Sequence, residues 1–147
     1  MTQDASWRLE FGSPEWLALF GRLLAAKIQL DGDRTPRVMC EVYLNAPAHL
    51  GAGPRGAVAW TCRIDASDIV FSAEECPDAI ADVKTVGEYA AFRSLVTFNR
   101  RPDNDGEFTQ KVTALVSAGQ LRSIADKRTA KPAPNYAFHN LIAALTR

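Results

Sequence analysis

The sequence predicts an α+β fold, and three patterns of apolar residues indicate it. Apolar side chains recur at intervals of three and four residues between residues 14 and 29, which is typical of an amphipathic helix. Between residues 37 and 85 they alternate with polar residues in short runs, which indicates strands. Helical spacing returns after Glu88, so a helix, up to four strands and then further helices follow one another. The 147 residues suit one domain, which we expect to span 1–147.

The first helix has a clear start signal. Ser13 is a suitable N-cap, Pro14 suits the first helical position, and Glu15 places a carboxylate where the helix dipole favours it. We expect this helix to extend from Pro14 to about Gln29 and to end at the turn around Gly32. Its apolar stripe, which commits one face to a core or to a ligand, consists of Trp16, Leu17, Phe20, Leu23, Leu24 and Ile28.

Four strands are predicted after this helix. The segment RVMCEVYLN (37–45) alternates between two sets of side chains and predicts a half-buried strand. After a loop rich in Gly and Pro at 46–56, GAVAWTCRI and IVFS predict a hairpin with an Asp65–Asp68 turn. Pro77 interrupts the pattern in EECPD, and AIADVKT then predicts a fourth strand, antiparallel like the others.

The remainder of the chain predicts three helices and a returning strand. One helix begins near Glu88, a weaker one spans about Glu107 to Ala118, and the last extends from Asn135 to about Leu145. Before the last helix, QLRSIAD predicts a short strand, and KRTAKPAP is a basic connection that contains two prolines.

Charge and cysteine content argue against several classes of function. Lys plus Arg and Asp plus Glu number 17 each, so no basic surface is expected and we predict no nucleic-acid partner. Three cysteines with no C-x-x-C pair predict reduced, buried thiols rather than a disulfide framework or a metal site. The first residues lack the features of a signal peptide, and no apolar run approaches the ~20 residues of a membrane span. We therefore expect a cytoplasmic protein without an integral membrane segment.

Six acidic residues in AWTCRIDASDIVFSAEECPDAIADV (59–83) raise the question of acid–base or metal chemistry. Asp82 lies inside a predicted strand, where one register points it to water and the other buries it as an acid–base candidate. Neither turn has the D-x-D-x-D-G pattern of a calcium loop. The other five acids fall in predicted turns, where we expect solvation: Asp65, Asp68, Glu74, Glu75 and Asp78.

Other motifs for chemistry are not found in the sequence. His49 lies in the Gly- and Pro-rich loop, and His139 lies in the last predicted helix, where a surface or interface role is expected. The sequence contains no G-x-S-x-G, G-x-G-x-x-G or P-loop motif, so we predict no catalytic serine and no cofactor.

Large apolar side chains are unusually regular along the chain. Eight of them fall on or near predicted inward faces: Trp16, Phe20, Trp60, Phe71, Phe92, Phe98, Phe108 and Phe138. They form either an ordinary core or, in part, the lining of an apolar cavity.

Four stretches resemble the sterol carrier protein type 2 family of lipid-binding domains. FGSPEWLALFGRLLA looks like the opening helix of its bacterial members, and AWTCRIDASDIVFS looks like its central hairpin. ADVKTVGEYAAFRSLV is similar to the strand and helix that follow, and GQLRSIAD to the strand before the last helix. The resemblance covers about residues 11 to 146. It implies a twisted, mainly antiparallel five-stranded sheet covered by helices, with an apolar tunnel between them.

By this resemblance the chain is expected to bind or transfer a sterol, fatty acid or acyl-CoA without catalysis. The residues expected to contact the ligand are Trp16, Phe20, Leu24, Trp60, Cys62, Phe92, Leu95 and Phe138. One alternative is a small enzyme of the nuclear transport factor 2-like type, an epoxide hydrolase, isomerase or polyketide cyclase, that uses Asp82 or Glu41 with help from Tyr43. A second alternative is an interaction module or homodimer that uses the Gly- and Pro-rich loop and the last helix.

Overall fold

A computed structural model of the chain describes residues 7–51, 55–129 and 133–147. Four α-helices and five strands form it, and four of the strands follow one another after the first helix, as is typical of the α+β class. In chain order they are α1 (Pro14–Asp31), β1 (Arg37–Leu44), β2 (Val58–Ile64), β3 (Ile69–Ser72), β4 (Val83–Glu88), α2 (Tyr89–Val96), α3 (Asp105–Ser117), β5 (Leu121–Asp126) and α4 (Tyr136–Leu145). The predicted loop at 46–56 and the KRTAKPAP connection at 127–134 lie partly outside the described residues. In the part of the chain that the structure describes, no helix is long and apolar enough to span a bilayer.

The five strands form one mixed sheet in the order β3-β2-β1-β4-β5. Three neighbouring pairs are antiparallel, but β1 and β4 are parallel, with Glu41 of β1 opposite Thr85 of β4. The expectation of a mainly antiparallel sheet is confirmed, whereas the expectation that the fourth strand is antiparallel is wrong. Because β4 joins β1 on the side away from β2, the segment between β3 and β4 has to cross one face of the sheet, and this crossing sets the direction of β4.

Both faces of the sheet are covered. The helices cover one face, where the larger apolar cluster includes Phe11, Trp16, Tyr43, Trp60 and Phe92. The crossing segment 73–82 covers the other, where a smaller cluster contains Cys40, Val42, Cys76, Ala81 and Val86. The middle strand β1 is therefore not the half-buried strand that its alternation predicted, since it contributes buried side chains to both clusters.

Helix α1 begins where its capping signal predicted. The Ser13 hydroxyl accepts a hydrogen bond from the Trp16 amide at 3.1 Å, which satisfies one free amide of the first turn. The helix ends at Asp31, two residues beyond the predicted Gln29, and Gly32 caps it with φ 75°. A left-handed residue at this position is accessible to glycine without steric cost.

The predicted strand AIADVKT begins later than expected. Residues Asp78–Ile80 form a short 3-10 turn, and the strand begins only at Val83. Ala81 is completely buried against the second face of the sheet, so the chain before β4 packs as a cover and does not continue the sheet.

The C-terminal half follows the predicted order closely. Helix α3 begins at Asp105, two residues before the predicted start, and β5 spans the predicted segment. The Asn135 side chain accepts a hydrogen bond from the Phe138 amide at 2.9 Å and so caps α4.

Candidate functional site

The structure brings the eight predicted ligand-contacting residues together in one cluster on the helix-covered face. Five of them are buried, and the other three, which are Phe20, Leu95 and Phe138, are partly buried against the same cluster. The buried ones are Trp16, Leu24, Trp60, Cys62 and Phe92. The sequence periodicity therefore identified one continuous apolar surface shared by α1, α2, α4 and the sheet.

Phe20 is the centre of this surface. Its ring stacks on Trp16 with centroids 4.8 Å apart, and it contacts the Trp60 ring at 5.2 Å. It also contacts Phe71 of β3 at 6.0 Å and Phe138 of α4 at 6.4 Å. One side chain of α1 thus connects the sheet with the last helix.

An apolar groove of about 330 Å³ lies between α1 and α4. Leu30 and Leu141 on its rim are 87% and 45% exposed, although they are large aliphatic side chains. Leu23 and Phe138 line the groove and also pack against the core cluster, so the groove adjoins the aromatic surface around Phe20. The Lys27 ammonium lies 5.7 Å from the centre of the Phe138 ring, a cation–π contact at the groove wall.

Next to the aromatic surface, three side chains of β1 and β2 form a series of hydrogen bonds. The Trp60 indole donates to the Tyr43 hydroxyl at 2.7 Å, and that hydroxyl donates to Oε2 of Glu41 at 2.8 Å. Burial raises the pKa of the Glu41 carboxyl, although hydrogen bonds from the Tyr43 hydroxyl and the Trp60 indole act to lower it. Burial and the adjacent Glu41 carboxyl raise the pKa of Tyr43 well above its usual value. This series of hydrogen bonds therefore includes a titratable carboxyl group, that of Glu41, in the middle strand of the sheet.

Polar residues continue from Glu41 towards one edge of the sheet. Glu41 lies opposite Thr85 of β4, and Thr85 lies opposite Ser123 of β5. Exposure increases along this row, from partly buried at Glu41 and Thr85 to exposed at Ser123. The row runs from the interior to the outer strand of the sheet.

Asp82 has a structural role at the end of the sheet, and it does not line the groove between α1 and α4. Its Oδ2 accepts a hydrogen bond from the Val38 amide at 2.7 Å, and its own amide donates to the Val38 carbonyl at 2.9 Å. Oδ1 lies 3.8 Å from the Lys127 ammonium. The Asp82 carboxylate thus joins the starts of β1 and β4, and neither register considered for it from the sequence describes this role.

The predicted turn acids divide into two groups. Asp65 lies in the hairpin turn as predicted, where its Oδ1 accepts hydrogen bonds from Ser67 and from the Asp68 amide. Glu75 and Asp78, by contrast, bind the Lys84 ammonium at 2.7 Å each, a contact that the sequence did not predict, although the Asp78 side chain stays 69% exposed.

Lys84 is a buried charge that the sequence pattern does not reveal. It lies in β4, its side chain is 1% exposed, and the Cys76 carbonyl is a third acceptor at 2.7 Å. Burial acts to lower the pKa of Lys84, but the hydrogen bonds to Asp78 and Glu75 outweigh it and raise the pKa. The only indication of this burial in the sequence was a lysine in a predicted strand that follows a loop with acidic residues. That pattern is common on solvated surfaces.

The two histidines form hydrogen bonds with other residues of the fold, and the cysteines are part of its interior. His49 binds Glu10 at 2.9 Å beside a polar cleft that also includes Arg93 and Arg147. His139 donates from Nε2 to the Phe98 carbonyl at 2.7 Å, and burial lowers its pKa. The three cysteines are buried free thiols.

Comparisons with known proteins return a distant structural likeness and no sequence match. No family model matches the sequence, and no curated protein matches it. One solved structure, described as "UbiJ-SCP2 Ubiquinone synthesis protein", aligns over 88% of this chain and 89% of its own, with a TM-score of 0.45 and 13% identity.

Proposed function

We propose that the chain binds an apolar ligand in the groove between α1 and α4, next to the core cluster that these helices form with the sheet, and that it carries or transfers this ligand without catalysing a reaction. The groove between α1 and α4 is the observation that carries the proposal. Its volume of about 330 Å³ is within the range of small-molecule sites, and its walls are mainly apolar, as in such sites. Exposed leucines on its rim are costly in water unless something apolar covers them.

The partly buried residues of the cluster support the same proposal. Phe20, Leu95 and Phe138 belong to the predicted ligand-contacting set, and each retains accessible surface although it packs against the core. Phe138 also lines the groove, so it can contact a ligand there by changing rotamer, without unfolding of a helix.

Binding of N-phenyl-1-naphthylamine, a neutral fluorescent probe, tests this proposal. We expect saturable enhancement of its fluorescence at a stoichiometry of about one, as for a single preformed site. Replacing two small groove residues on facing helices, Ala26→Phe with Ala137→Phe, should fill the groove and weaken binding about tenfold. Organic extraction of the purified protein followed by mass spectrometry should also release a lipid-like molecule.

A matched control uses exposed alanines away from the groove. Ala18→Phe with Ala114→Phe adds the same side chains at exposed positions of α1 and α3 and should leave probe binding unchanged. The proposal is rejected if the wild type takes up no probe and releases no lipid, or if both double variants bind like the wild type.

The bond between Glu41 and Tyr43 favours a second candidate function. A carboxyl of raised pKa beside a tyrosine hydroxyl suits general acid–base chemistry, as the nuclear transport factor 2-like alternative requires. Such chains usually finish in long strands, whereas this chain finishes in α4. Under this alternative the wild type hydrolyses an epoxide such as styrene oxide and Glu41→Gln does not, while both bind the naphthylamine probe equally.

A further inference from the structure

A second cavity of the described chain is a polar cleft of about 440 Å³, a volume within the range of small-molecule sites. It lies next to the start of α1 and the end of α4, whereas the apolar groove lies at the other end of both helices. The residues that line the cleft are Glu10, Pro47, His49, Tyr89, Arg93 and Arg147. None of these residues lines the groove. We propose that the cleft is an oxyanion site that binds a phosphate monoester group between Arg93 and Arg147, independently of the function proposed for the groove.

The guanidinium groups of Arg93 and Arg147 form no ion pair within the described residues. Three other arginines bind a carboxylate at 3.0 Å or less, namely Arg100, Arg101 and Arg128. The acid among the residues that line the cleft is Glu10, and its two oxygens lie 2.9 and 3.0 Å from Nε2 of His49. Because His49 occupies this carboxylate, the hydrogen-bond donors of the two arginines stay available for a ligand.

One short segment holds the backbone on which both arginines are carried. The amide of Arg147 donates to the Leu9 carbonyl at 2.9 Å, and the Arg147 carbonyl accepts from the Phe11 amide at 3.0 Å. The Tyr89 hydroxyl donates to the Phe11 carbonyl, and Arg93 lies four residues after Tyr89 on the same side of α2. The backbones that carry the two guanidinium groups are therefore fixed relative to each other before a ligand arrives, which lowers the cost of binding.

The charges of the cleft act on Tyr89, whose side chain lines it. Burial raises the pKa of Tyr89, the Glu10 carboxylate adds to this rise, and the Arg93 guanidinium acts against it. Both charged groups therefore lie close to the Tyr89 hydroxyl, so the Arg93 side chain is directed at the cleft. Among the side chains that line the cleft, two guanidinium groups face one carboxylate, and this excess favours an anionic ligand.

The donor geometry of the two arginines decides the class of anion. Each guanidinium group is a planar fork that can donate two parallel hydrogen bonds to an oxyanion. A phosphate monoester has three terminal oxygens and close to two negative charges at neutral pH, so it can accept from both forks at once. A carboxylate has two oxygens and one charge, which suits a single fork. The phosphate monoester group occurs both in soluble esters and in the head group of phosphatidic acid, and the experiment distinguishes these two sources.

Isothermal titration calorimetry at low ionic strength with glycerol 3-phosphate, acetate and glycerol tests the inference. We expect glycerol 3-phosphate to bind about tenfold more tightly than acetate, and glycerol not to bind. Arg93→Gln with Arg147→Gln should weaken glycerol 3-phosphate at least about tenfold, because charge-assisted hydrogen bonds are lost. The control, Arg22→Gln with Arg63→Gln, removes the same charge from exposed residues that line neither cavity and should bind like the wild type.

Cosedimentation with phosphatidylcholine vesicles, prepared with and without phosphatidic acid, identifies the source of the phosphate group. Binding to the acidic vesicles that the cleft variant loses and the control variant retains identifies the lipid head group. Binding of glycerol 3-phosphate without binding to these vesicles identifies a soluble ester. Either result supports the site, because the same two arginines carry the affinity.

A measurement on the wild type covers the case in which the variants do not fold. The Nε–Hε resonances of Arg93 and Arg147 should move on addition of glycerol 3-phosphate and not on addition of glycerol. The inference is wrong if neither resonance moves, if acetate binds as tightly as glycerol 3-phosphate, or if the two double variants lose equal affinity. Uptake of the naphthylamine probe should be the same in the cleft variant and the wild type, so failure of this site leaves the proposed function intact.

Discussion

Two charged residues in the centre of the sheet have opposite surroundings. Lys84 has three acceptors, the carboxylates of Glu75 and Asp78 and the Cys76 carbonyl, all at 2.7 Å. Glu41 on the opposite face receives hydrogen bonds from the Tyr43 hydroxyl and the Trp60 indole, yet burial still raises the pKa of its carboxyl group. A buried ammonium whose charge is balanced generally serves structure, whereas a buried carboxyl group of raised pKa more often serves binding or catalysis. Of the two residues, Glu41 is accordingly the one that we would test for a functional role.

Glu41 predicts an unusual pH dependence of stability. Its pKa in the folded protein is raised above its ordinary value of 4.5, so the folded state binds this proton more tightly than the unfolded chain. Its contribution to the free energy of unfolding therefore falls as pH rises through the interval from about 4.5 to the raised value. Urea unfolding across this interval should show the wild type losing stability relative to Glu41→Gln, which does not titrate. A difference between the two proteins that is independent of pH would show that the pKa of Glu41 is not raised.

The Lys84 cluster predicts an asymmetric response to mutation. Glu75→Ala with Asp78→Ala leaves the buried ammonium with the Cys76 carbonyl, and we expect a loss of about 3 kcal/mol in the free energy of unfolding. Lys84→Met should cost less, about 1 kcal/mol, because the two carboxylates are 32% and 69% exposed and return to water. Denaturant titration measures both values. Equal losses in the two proteins would mean that Lys84 itself becomes hydrated when its acids are removed.

At the scale of elements, α1 lies close to β3 because it has no side chain at Gly21. A Cβ atom built at this glycine would lie 2.5 Å from the Phe71 ring of β3, far inside van der Waals contact. Helix propensity alone marks the same glycine as a weak point that alanine would improve by about 1 kcal/mol. The packing of the helix against the sheet reverses that expectation.

Gly21→Ala should therefore destabilise the protein by about 2 kcal/mol, since overpacking outweighs the gain in helix propensity. Gly106 in α3 is the matched control, because a Cβ atom there meets nothing within 4 Å and Gly106→Ala should stabilise the protein by up to about 1 kcal/mol. Thermal unfolding of the two variants should shift the midpoint in opposite directions. An increase for both would show that α1 can move away from Phe71 at little cost.

At the scale of the whole molecule, the two ends of the described chain are joined. Leu9 forms a parallel bridge with Thr146, through hydrogen bonds of 2.8 Å to the Leu145 carbonyl and 2.9 Å from the Arg147 amide. The Trp16 indole donates to the Thr146 hydroxyl at 2.8 Å, and Thr146 is 2% exposed. The start of α1 and the end of α4 are therefore held together, which also positions the two walls of the groove.

Thr146→Val should test this junction. It keeps the shape of the side chain but leaves the Trp16 indole buried without an acceptor, at a cost of about 2 kcal/mol. Thr146→Ser retains the hydroxyl and should cost less than 1 kcal/mol. We expect weaker uptake of the naphthylamine probe by the valine variant, because the angle between α1 and α4 is less restricted. Calorimetry and probe titration on the same samples provide both readouts, and a stable valine variant would show that the junction is not needed.

Self-association through the last helix stays a prediction. Ile142 of α4 is buried in the core of its own chain, so removing residues 132–147 would damage the fold as well as any contact surface. Sedimentation of the intact protein, with Leu141→Glu at the exposed groove rim as the comparison, separates the two effects.

The sequence alone determined the order of helices and strands, the capped start of α1, the hairpin turn and the apolar stripe of each helix. These features depend on local chemistry, such as the Ser13 cap, the Asp65 turn and the spacing of Trp16, Phe20 and Leu24, so they can be read within a few residues. The eight residues expected around a ligand share one cluster for the same reason, since periodicity alone assigns each to the inner face of its element.

Which charged residues lie inside, and what they contact, depends on how distant parts of the chain pack together. The parallel pairing of β4 with β1 requires the 73–82 segment to cross the sheet. This crossing buries Lys84, places the Asp82 carboxylate on the Val38 amide and covers the second face of β1. Glu41 shares one side of β1 with Tyr43, and the helices cover that side because residues 73–82 cover the side of Cys40 and Val42. Alternation along a strand defines two faces but not which of them meets water, since that depends on what the rest of the chain places over the sheet.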